Sequence, residues 1–596
     1  MYILGISGHK RNAAAALIKD GTPVSAFEEE KLVRNKSIGV AQCGGLPYES
    51  ISYCLSQAGI GIEDVDYVAC DFKPRRLLIR QKKFSRNFVE PFPGAEDYNA
   101  ASLNEYHDRM NTLQLIKRLI SGHSKKVTVD HQLAHAAGTF YHSGFDRAAI
   151  LILSGKGDYI SLSVGVGEGN KVNLHTRIEF PQSLGWIYSQ MTEYLGYQPE
   201  CDEHKTQWLS TTGEPEFLGA FEDLIQIDKK GMPRIDLSYF DLSFQRTDVF
   251  SEKFYQIFGD RLRRKNQRFV NGMMKFQRNG ESAAFTDRQV SNLLHQSYCR
   301  NLAHSLQQRL EQIVLAHVEK IRQKERTDSL CLGGGVACNN LLISRLERES
   351  GFQHVFASPA AGNSGNSLGA GLFLYHNQLG RGKPESLKHV FLGPEYMDME
   401  VKPIFDNCKL KYRYLATEEK LTEDVVKLIS EGAIVAWFQG RAEFGSRSLG
   451  GRSILANPML EYSKENLNLY LKHQESWRPF AVSIPEDQAL SFFENCSPIS
   501  RFLLTVSRVR NDKRHLIPSA WFSNGMARVH LVNQKTSPLY WRLLTRFGEK
   551  TGIPILVNTS FNLFGEPIVC TPRDAVRSFY CSGIDALVIN RFLIEK

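Results

Sequence analysis

The sequence predicts an α/β fold, duplicated in its first part and followed by a second domain, on three observations. At 596 residues the chain is too long for one ordinary hydrophobic core, and 42% hydrophobic with 23% charged residues suits extensive buried surface. A pattern of three strands joined by glycine turns occurs twice, over residues 2–30 and 148–180. Glycine-rich strand-to-helix junctions then recur between 329 and 376.

The first unit reads as a strand, the turn around "SGHKRN", the strand "AAAALIKD", a glycine turn and the strand "PVSAFEEE". The second, "AAILILSGKGDYISLSVGVGEGNKVNLHTRIEF", repeats it with the turns "SGKGD" and "GEGN". Two such units suggest halves facing one cleft, in which both turns bring backbone N–H groups close to phosphates; this is the actin-like ATPase plan. The junctions in "SLCLGGGVACNNLLISRLERES" and "VFASPAAGNSGNSLGAGLFLYH" offer helix N-termini to an anion, with close helix packing as the alternative use of their glycines. The stretch 380–394, "GRGKPESLKHVFLGP", has no periodicity and is the linker candidate. Beyond it come a helix-like 418–431, the strand "AIVAWFQG", the basic loop "RAEFGSRSLGGRS", a second cationic segment "LKHQESWRPFAVS" and the late strand and loop "IPILVNTSFNLFGEPIV".

A net charge of +9, from 73 basic and 64 acidic residues, points to anionic ligands rather than to nucleic acid, whose binders gather their excess into a stripe or tail. The run "RQKKFSR" at 80–86 reads as a solvated face. The eleven cysteines form no C-x-x-C pair and no tight Cys/His cluster, so neither a zinc ribbon nor a disulfide scaffold is indicated, and reduced thiols fit best. No secretion signal and no apolar run of about 20 residues is present, so a soluble cytoplasmic protein without membrane partners is expected. The oligomeric state stays open, and a homodimer is compatible with the sequence.

His131 and His135 stand four apart, on one side of a helix, in reach of one metal ion, with a satisfied structural pair as the alternative. Arg441, Arg447, Arg452, Lys472 and Arg478 fall on two glycine-bearing loops, where their mutual repulsion calls for an anion between them. Surface salt bridges with Glu443 and Glu475 are the alternative. No G-x-x-x-x-G-K-[ST] occurs, so ATP would be held by another device.

The blocks "EEEKLVRNK", "HQLAHA", "FPQSLGWIYSQMTEYLGY", "GGGVACNN", "PAAGNSGNSLGAG", "FQGRAEFGSRSLGGRSILANP", "WRPFAVS" and "VNTSFNLFGEPIVCTP" follow one another in a familiar order. Through them the chain resembles, over its full length, the ATP-dependent carbamoyltransferases of the nodulation and antibiotic-tailoring type. The resemblance implies a duplicated actin-like transfer domain over 1–385 and an α+β carbamoyl-adenylate-forming (YrdC-like) domain over 396–596. It implies carbamoyl phosphate and ATP as substrates, Mg2+ and a further divalent ion such as Fe2+ as cofactors, and a small-molecule hydroxyl or amine as acceptor. By position His9 matches the family's catalytic histidine, Lys36 a substrate-binding lysine, and His131 and His135 the metal pair. Arg441, Arg447, Arg452, Lys472, Arg478, Arg528, Ser560 and Asn562 match blocks lining the adenylate-forming pocket.

The departures fall in the same places. Ser154 and Asn363 stand where the family has metal-binding aspartates, and neutral oxygens hold a divalent cation far less strongly than carboxylates. Lys10 stands after His9 in place of an aspartate, and Lys156 adds positive charge to the second turn, which suggests that protein cations take over part of the metal's work. "KTQWLSTTG", "FSNG" and Gln474 depart as well. Three readings follow: a carbamoyltransferase in natural-product biosynthesis, a homologue that keeps ATP-dependent activation for another acyl transfer or condensation, and a non-catalytic nucleotide-binding homologue.

Overall fold

The computed structural model describes residues 1–596 except 90–94, 121, 123, 230, 243–248, 260–268, 271–272, 279–280 and 285–296. The chain divides into two compact units. The first comprises Met1–Val40, Pro47–Val65 and Ser386–Lys596, the second Ala41–Leu46 and Asp66–Glu385. One break falls between Glu385 and Ser386, and the N-terminal stretches Met1–Val40 and Pro47–Val65 gather with Ser386–Lys596.

In the first unit, β1 (Tyr2–Ser7), β2 (Ala14–Lys19) and β3 (Thr22–Glu28) form an antiparallel meander, in register from Tyr2 opposite Lys19 to Ser7 opposite Ala14. The alanines of β2 are fully buried, and their small side chains let helix α2 (Tyr48–Ala58) lie close, with the Cys54 thiol donating to the Ala15 carbonyl at 3.6 Å. Helix α1 (Glu29–Val33) follows β3 directly.

The C-terminal residues build one mixed sheet of ten strands. At its centre Val435–Phe438, Arg452–Ala456, Leu556–Ser560, Ala481–Pro485 and Met526–Val532 lie side by side in that order. Alternation along Val435–Phe438 sends Val435 and Trp437 to one face, against helices Glu418–Ser430 and Pro538–Thr551. Ala436 and Phe438 go to the other, against helices Asp398–Asn407 and Pro572–Tyr580. Parallel and antiparallel pairs with helices on both faces make this an α+β domain.

In the second unit, β4 (Tyr67–Cys70) and β5 (Lys125–Thr128) pair in parallel. Helices α3 (Pro74–Phe88) and α4 (Ala95–Leu119) pack on each other. The meander returns as β6 (Arg147–Leu153), β7 (Ile160–Glu168) and β8 (Lys171–Glu179), extended from β6 by the parallel strands Ser329–Gly333 and His354–Ala357. An antiparallel three-strand meander followed by a parallel pair thus occurs twice, which is the duplicated actin-like architecture. Helix α5 (His131–Ser143) packs on β6 and against helix Asn366–Leu372. A Cβ on Gly369 would meet the Ala134 carbonyl oxygen at 2.0 Å, so this glycine serves close helix packing.

Candidate functional site

In the first unit, Lys472 follows the helical turn Asn466–Leu471, and Ser560 ends the central strand Leu556–Ser560. The structure brings them together with Asn562. Lys472 Nζ donates to the Ser560 carbonyl, to the Asn562 carbonyl at 2.8 Å and to Asn562 Oδ1 at 3.0 Å. Asn562 Oδ1 also accepts from Ser560 Oγ at 2.7 Å, and Asn562 Nδ2 donates to the Glu566 carbonyl at 2.7 Å, so the amide has one orientation. Burial, then Arg478, pushes the Lys472 ammonium down to about 7.

Arg528 lies on strand Met526–Val532, across from Ala481, which lies across from Asn558 on the strand that ends at Ser560. Its Nη1 donates to the Pro479 carbonyl at 3.5 Å. Burial, then the charges of Arg447 and Arg478, push its guanidinium well below the ordinary range. Four of the expected cations, Arg447, Lys472, Arg478 and Arg528, therefore act on one another electrostatically. Glu475 lies 3.9 Å from Arg478, which is too long for a charge-assisted hydrogen bond. Gln474, in the position where the family resemblance leads one to expect arginine, donates to Asn468 Oδ1 at 2.6 Å, and Asn468 Nδ2 donates to the Arg478 carbonyl at 3.1 Å, so it braces this loop.

Arg441 and Arg452 differ from the expectation of pocket loops. Arg452 opens a central strand and is fully buried; its guanidinium sits 3.5 Å above the Phe438 ring and donates to the carbonyls of Gln439, Gly440, Gly451 and Pro394. Arg441 donates to the carbonyls of Gly393, Leu392 and Val24. Glu443 makes no surface salt bridge: it is buried, and its Oε1 accepts from the backbone N–H groups of Leu449, Gly451 and Arg452. These side chains shape the loop that carries Arg447.

Residues of α1, which sequence reasoning did not assign, hold the same loops. Lys31 Nζ donates to the carbonyls of Glu443 and Gly445 at 2.9 and 2.8 Å and pairs with Glu28 at 2.8 Å, while Glu28 Oε1 accepts from Gly445 N–H at 2.6 Å. Arg34 donates to the carbonyls of Ile568 and Pro567 and lies 3.5 Å from Glu566. The run "EEEK" carries Glu28 and Lys31, and Arg34 follows three residues later.

His9 is buried in the turn between β1 and β2, with Lys10 exposed beside it. Gly8, at φ 81°, leaves no room for a Cβ, which would meet the Asn12 carbonyl oxygen at 2.2 Å. Residues 37–40, just after the exposed Lys36, zip onto this turn: Ala13 N–H donates to the Ile38 carbonyl at 2.8 Å and Val40 N–H to the Gly8 carbonyl at 3.0 Å. The loops of His9 and Lys36 are thereby neighbours.

In the second unit, the His131 and His135 Nε2 atoms converge to 3.2 Å. His131 Nδ1 pairs with Asp71 at 3.2 Å, and Asp71 also accepts from Asn366 Nδ2 at 2.9 Å. Against burial, the Asp71 hydrogen bond and the Asp158 charge hold the His131 imidazolium above its ordinary range; burial and His131 push His135 well below. The pair fits a shared proton. It does not fit the expected Mg2+ or Fe2+: among the described residues no three His, Cys, Asp or Glu gather to hold a metal ion, and Asp71 is committed to His131 and Asn366. Ser154 Oγ lies 3.4 Å from Gln132 Nε2, and Asn363 begins the single turn Asn363–Gly365. Lys156 Nζ lies 4.2 Å above the Tyr159 ring. Asp158 pairs with Arg109 at 2.8 Å.

Among the described residues no helix is long and apolar enough to cross a membrane. A protein of Synechocystis sp. (strain ATCC 27184 / PCC 6803 / Kazusa), itself called uncharacterized, is 32% identical over 630 residues, covering 100% of this chain and 97% of its own. The nodulation protein NolNO of Sinorhizobium fredii (strain NBRC 101917 / NGR234) is 33% identical over 98% of this chain and 79% of its own. Among solved structures, HypF of T. kodakarensis overlaps 64% of this chain and 48% of its own at 13% identity, with a TM-score of 0.32, too low to carry an argument. The family model of the carbamoyltransferase N-terminus matches residues 2–372 and that of the carbamoyltransferase C-terminus residues 426–596. The chain therefore belongs to the carbamoyltransferase family and is a transferase.

Proposed function

We propose that the chain uses ATP to activate the carbamoyl group of carbamoyl phosphate as carbamoyl adenylate and passes it to a small-molecule hydroxyl or amine in natural-product biosynthesis. The observation that carries the reading is the group formed by the buried Lys472 with the half-buried Arg447, Arg478 and Arg528, whose mutual repulsion a polyphosphate would relieve. Adenylation needs a carboxylate oxygen, so water first releases orthophosphate from carbamoyl phosphate; the resulting carbamate attacks the α-phosphorus and expels pyrophosphate. Guanidinium groups placed around that phosphorus stabilise the charge developing there. Ser560 and Asn562, tied to Lys472, would fix the ammonium in place as a point charge beside the phosphates. His9, held in its glycine turn, would take the acceptor proton, with Lys36 on the neighbouring loop binding substrate. No step is assigned to a metal at His131 and His135.

Radiolabelled pyrophosphate returning to ATP in the presence of carbamoyl phosphate tests this reading. Ser154 and Asn363, which remove two carboxylates, favour a second one, in which activation is kept but another acyl group is transferred. Exchange only with a different acyl phosphate would select it. No exchange with any acyl donor would leave a nucleotide-binding homologue.

A further inference from the structure

The second unit holds another concentration of positive charge that the proposed chemistry does not use. Asp130, buried to 2% side-chain exposure, caps α5 through Oδ1, which accepts from Gln132 N–H at 3.1 Å. Its other oxygen, Oδ2, faces three guanidinium groups: Arg76 at 3.4 Å, Arg80 at 3.7 Å and Arg177 at 3.5 Å. All three distances exceed the roughly 2.7–2.9 Å of a good charge-assisted bond, because one oxygen cannot serve three forks. Lys73 adds a fourth cation: burial and then Arg76 push its ammonium down, Asp130 works the other way, and Arg177 depresses it further.

The cations are placed where local structure disfavours them. Lys73 caps the start of α3, Arg76 and Arg80 follow on the helix at spacings of three and four, and the first turn contains no acidic residue. A helix start carries partial positive charge and ordinarily attracts Asp and Glu. Arg177 joins from β8. Lys83, further along α3, behaves instead as an ordinary surface cation and pairs with Glu179 at 2.6 Å. Arg80 also donates to the Asp158 carbonyl at 3.1 Å, which ties the group to the "SGKGD" turn, and Asp130 directly precedes His131. The group opens to solvent on one side, with Arg76 54% and Arg177 28% exposed.

We propose that Lys73, Arg76, Arg80 and Arg177 form a binding site for the phosphate or carboxylate group of a small-molecule substrate, with Asp130 spacing the guanidinium forks. Attribution of that anion to the acceptor rests on the proposed carbamoyl transfer; the anion site itself does not.

The test uses the full-length protein and an Arg76→Gln/Arg177→Gln variant, both partly exposed positions. Equilibrium dialysis with radiolabelled orthophosphate counts sites, and the variant is expected to lose one. In buffer free of multivalent anions the variant should melt no lower than the wild type, since repulsion has been removed, and part of the rise in melting temperature on adding phosphate should vanish. Equal site counts and affinities, or a variant that melts lower with its phosphate response intact, would overturn the proposal by showing that Asp130 alone satisfies the arginines. AMP distinguishes the source of the anion: if the variant also loses an AMP site, the group holds a nucleotide phosphate, and if AMP binding is kept, it holds an acceptor anion. Wild-type pyrophosphate exchange, measured in parallel, tests activation separately. A counted site without exchange would sink the carbamoyl-adenylate reading and leave the anion site standing.

Discussion

Lys472 concentrates the chemistry of the first unit in one titrating group. Its ammonium has an ordinary value of 10.5 and is pushed to about 7 by burial and Arg478, so a bound polyphosphate, which favours the charged form, must bring a proton with it above pH 7. Affinity for pyrophosphate is therefore expected to fall as pH rises from 7 to 9, by up to about tenfold per unit, and the slope should flatten in Lys472→Met; titration calorimetry in two buffers of different ionisation heat measures the proton uptake. In the ligand-free protein the sign for stability is opposite to that of a stabilising cation. Between pH 7 and 10.5 the unfolded chain holds this proton and the folded one does not, so the contribution of Lys472 to stability rises with pH across that window. Arg447 is half-buried and extends from a loop whose shape is fixed by Glu443 and Arg452. Arg447→Ala should abolish pyrophosphate exchange and change stability by no more than about 0.5 kcal/mol in urea unfolding. A large loss of stability would instead make it a structural side chain.

At the scale of elements, α1 acts as a clamp. Lys31 holds the backbone of the 443–445 turn and neutralises Glu28, while Arg34 holds the 566–568 loop that follows Asn562. Burial works to raise the Glu28 carboxyl, and Lys31 opposes it. Lys31→Met would leave that carboxylate without its cation in a buried site, at a cost of about 3–5 kcal/mol, whereas Lys31→Met combined with Glu28→Gln should recover most of the loss. Chemical denaturation of the three proteins checks this; equal losses in single and double variants would show that the pair is not coupled. The α5 histidines illustrate the converse. Helical spacing put His131 and His135 on one side correctly, and their Nε2 atoms do converge, yet Asp71, more than fifty positions away in sequence, decides which of the two imidazoles is favoured as a cation.

On the scale of the molecule, the first 65 residues, apart from 41–46, are part of the same compact unit as residues 386–596. A fragment of 386–596 alone lacks Glu28, Lys31 and Arg34 and exposes the surfaces they cover. It is expected to be poorly folded and inactive in pyrophosphate exchange, and circular dichroism with thermal melting would detect a fragment as stable as the full chain, which would count against the clamp. The repeated meanders, the strand "AIVAWFQG", the helix at 418–431 and the cationic blocks were legible in the sequence, because strand alternation, glycine turns and helical spacing are local properties of the chain. So was the family, carried by the order of its blocks. What local pattern leaves undetermined is which partner a charge meets. Arg452 and Arg447 read alike in "GSRSLGGRS", but one lies fully buried among carbonyls and the other half-buried beside further cations. The arginines around Asp130 come from α3 and β8, almost one hundred residues apart between Arg80 and Arg177. The sequence by itself determined the elements and the chemical groups on offer; only the tertiary structure decided which charges are neutralised and which stay exposed to one another, since electrostatic energy depends on distance and burial, and neither is written in the order of residues.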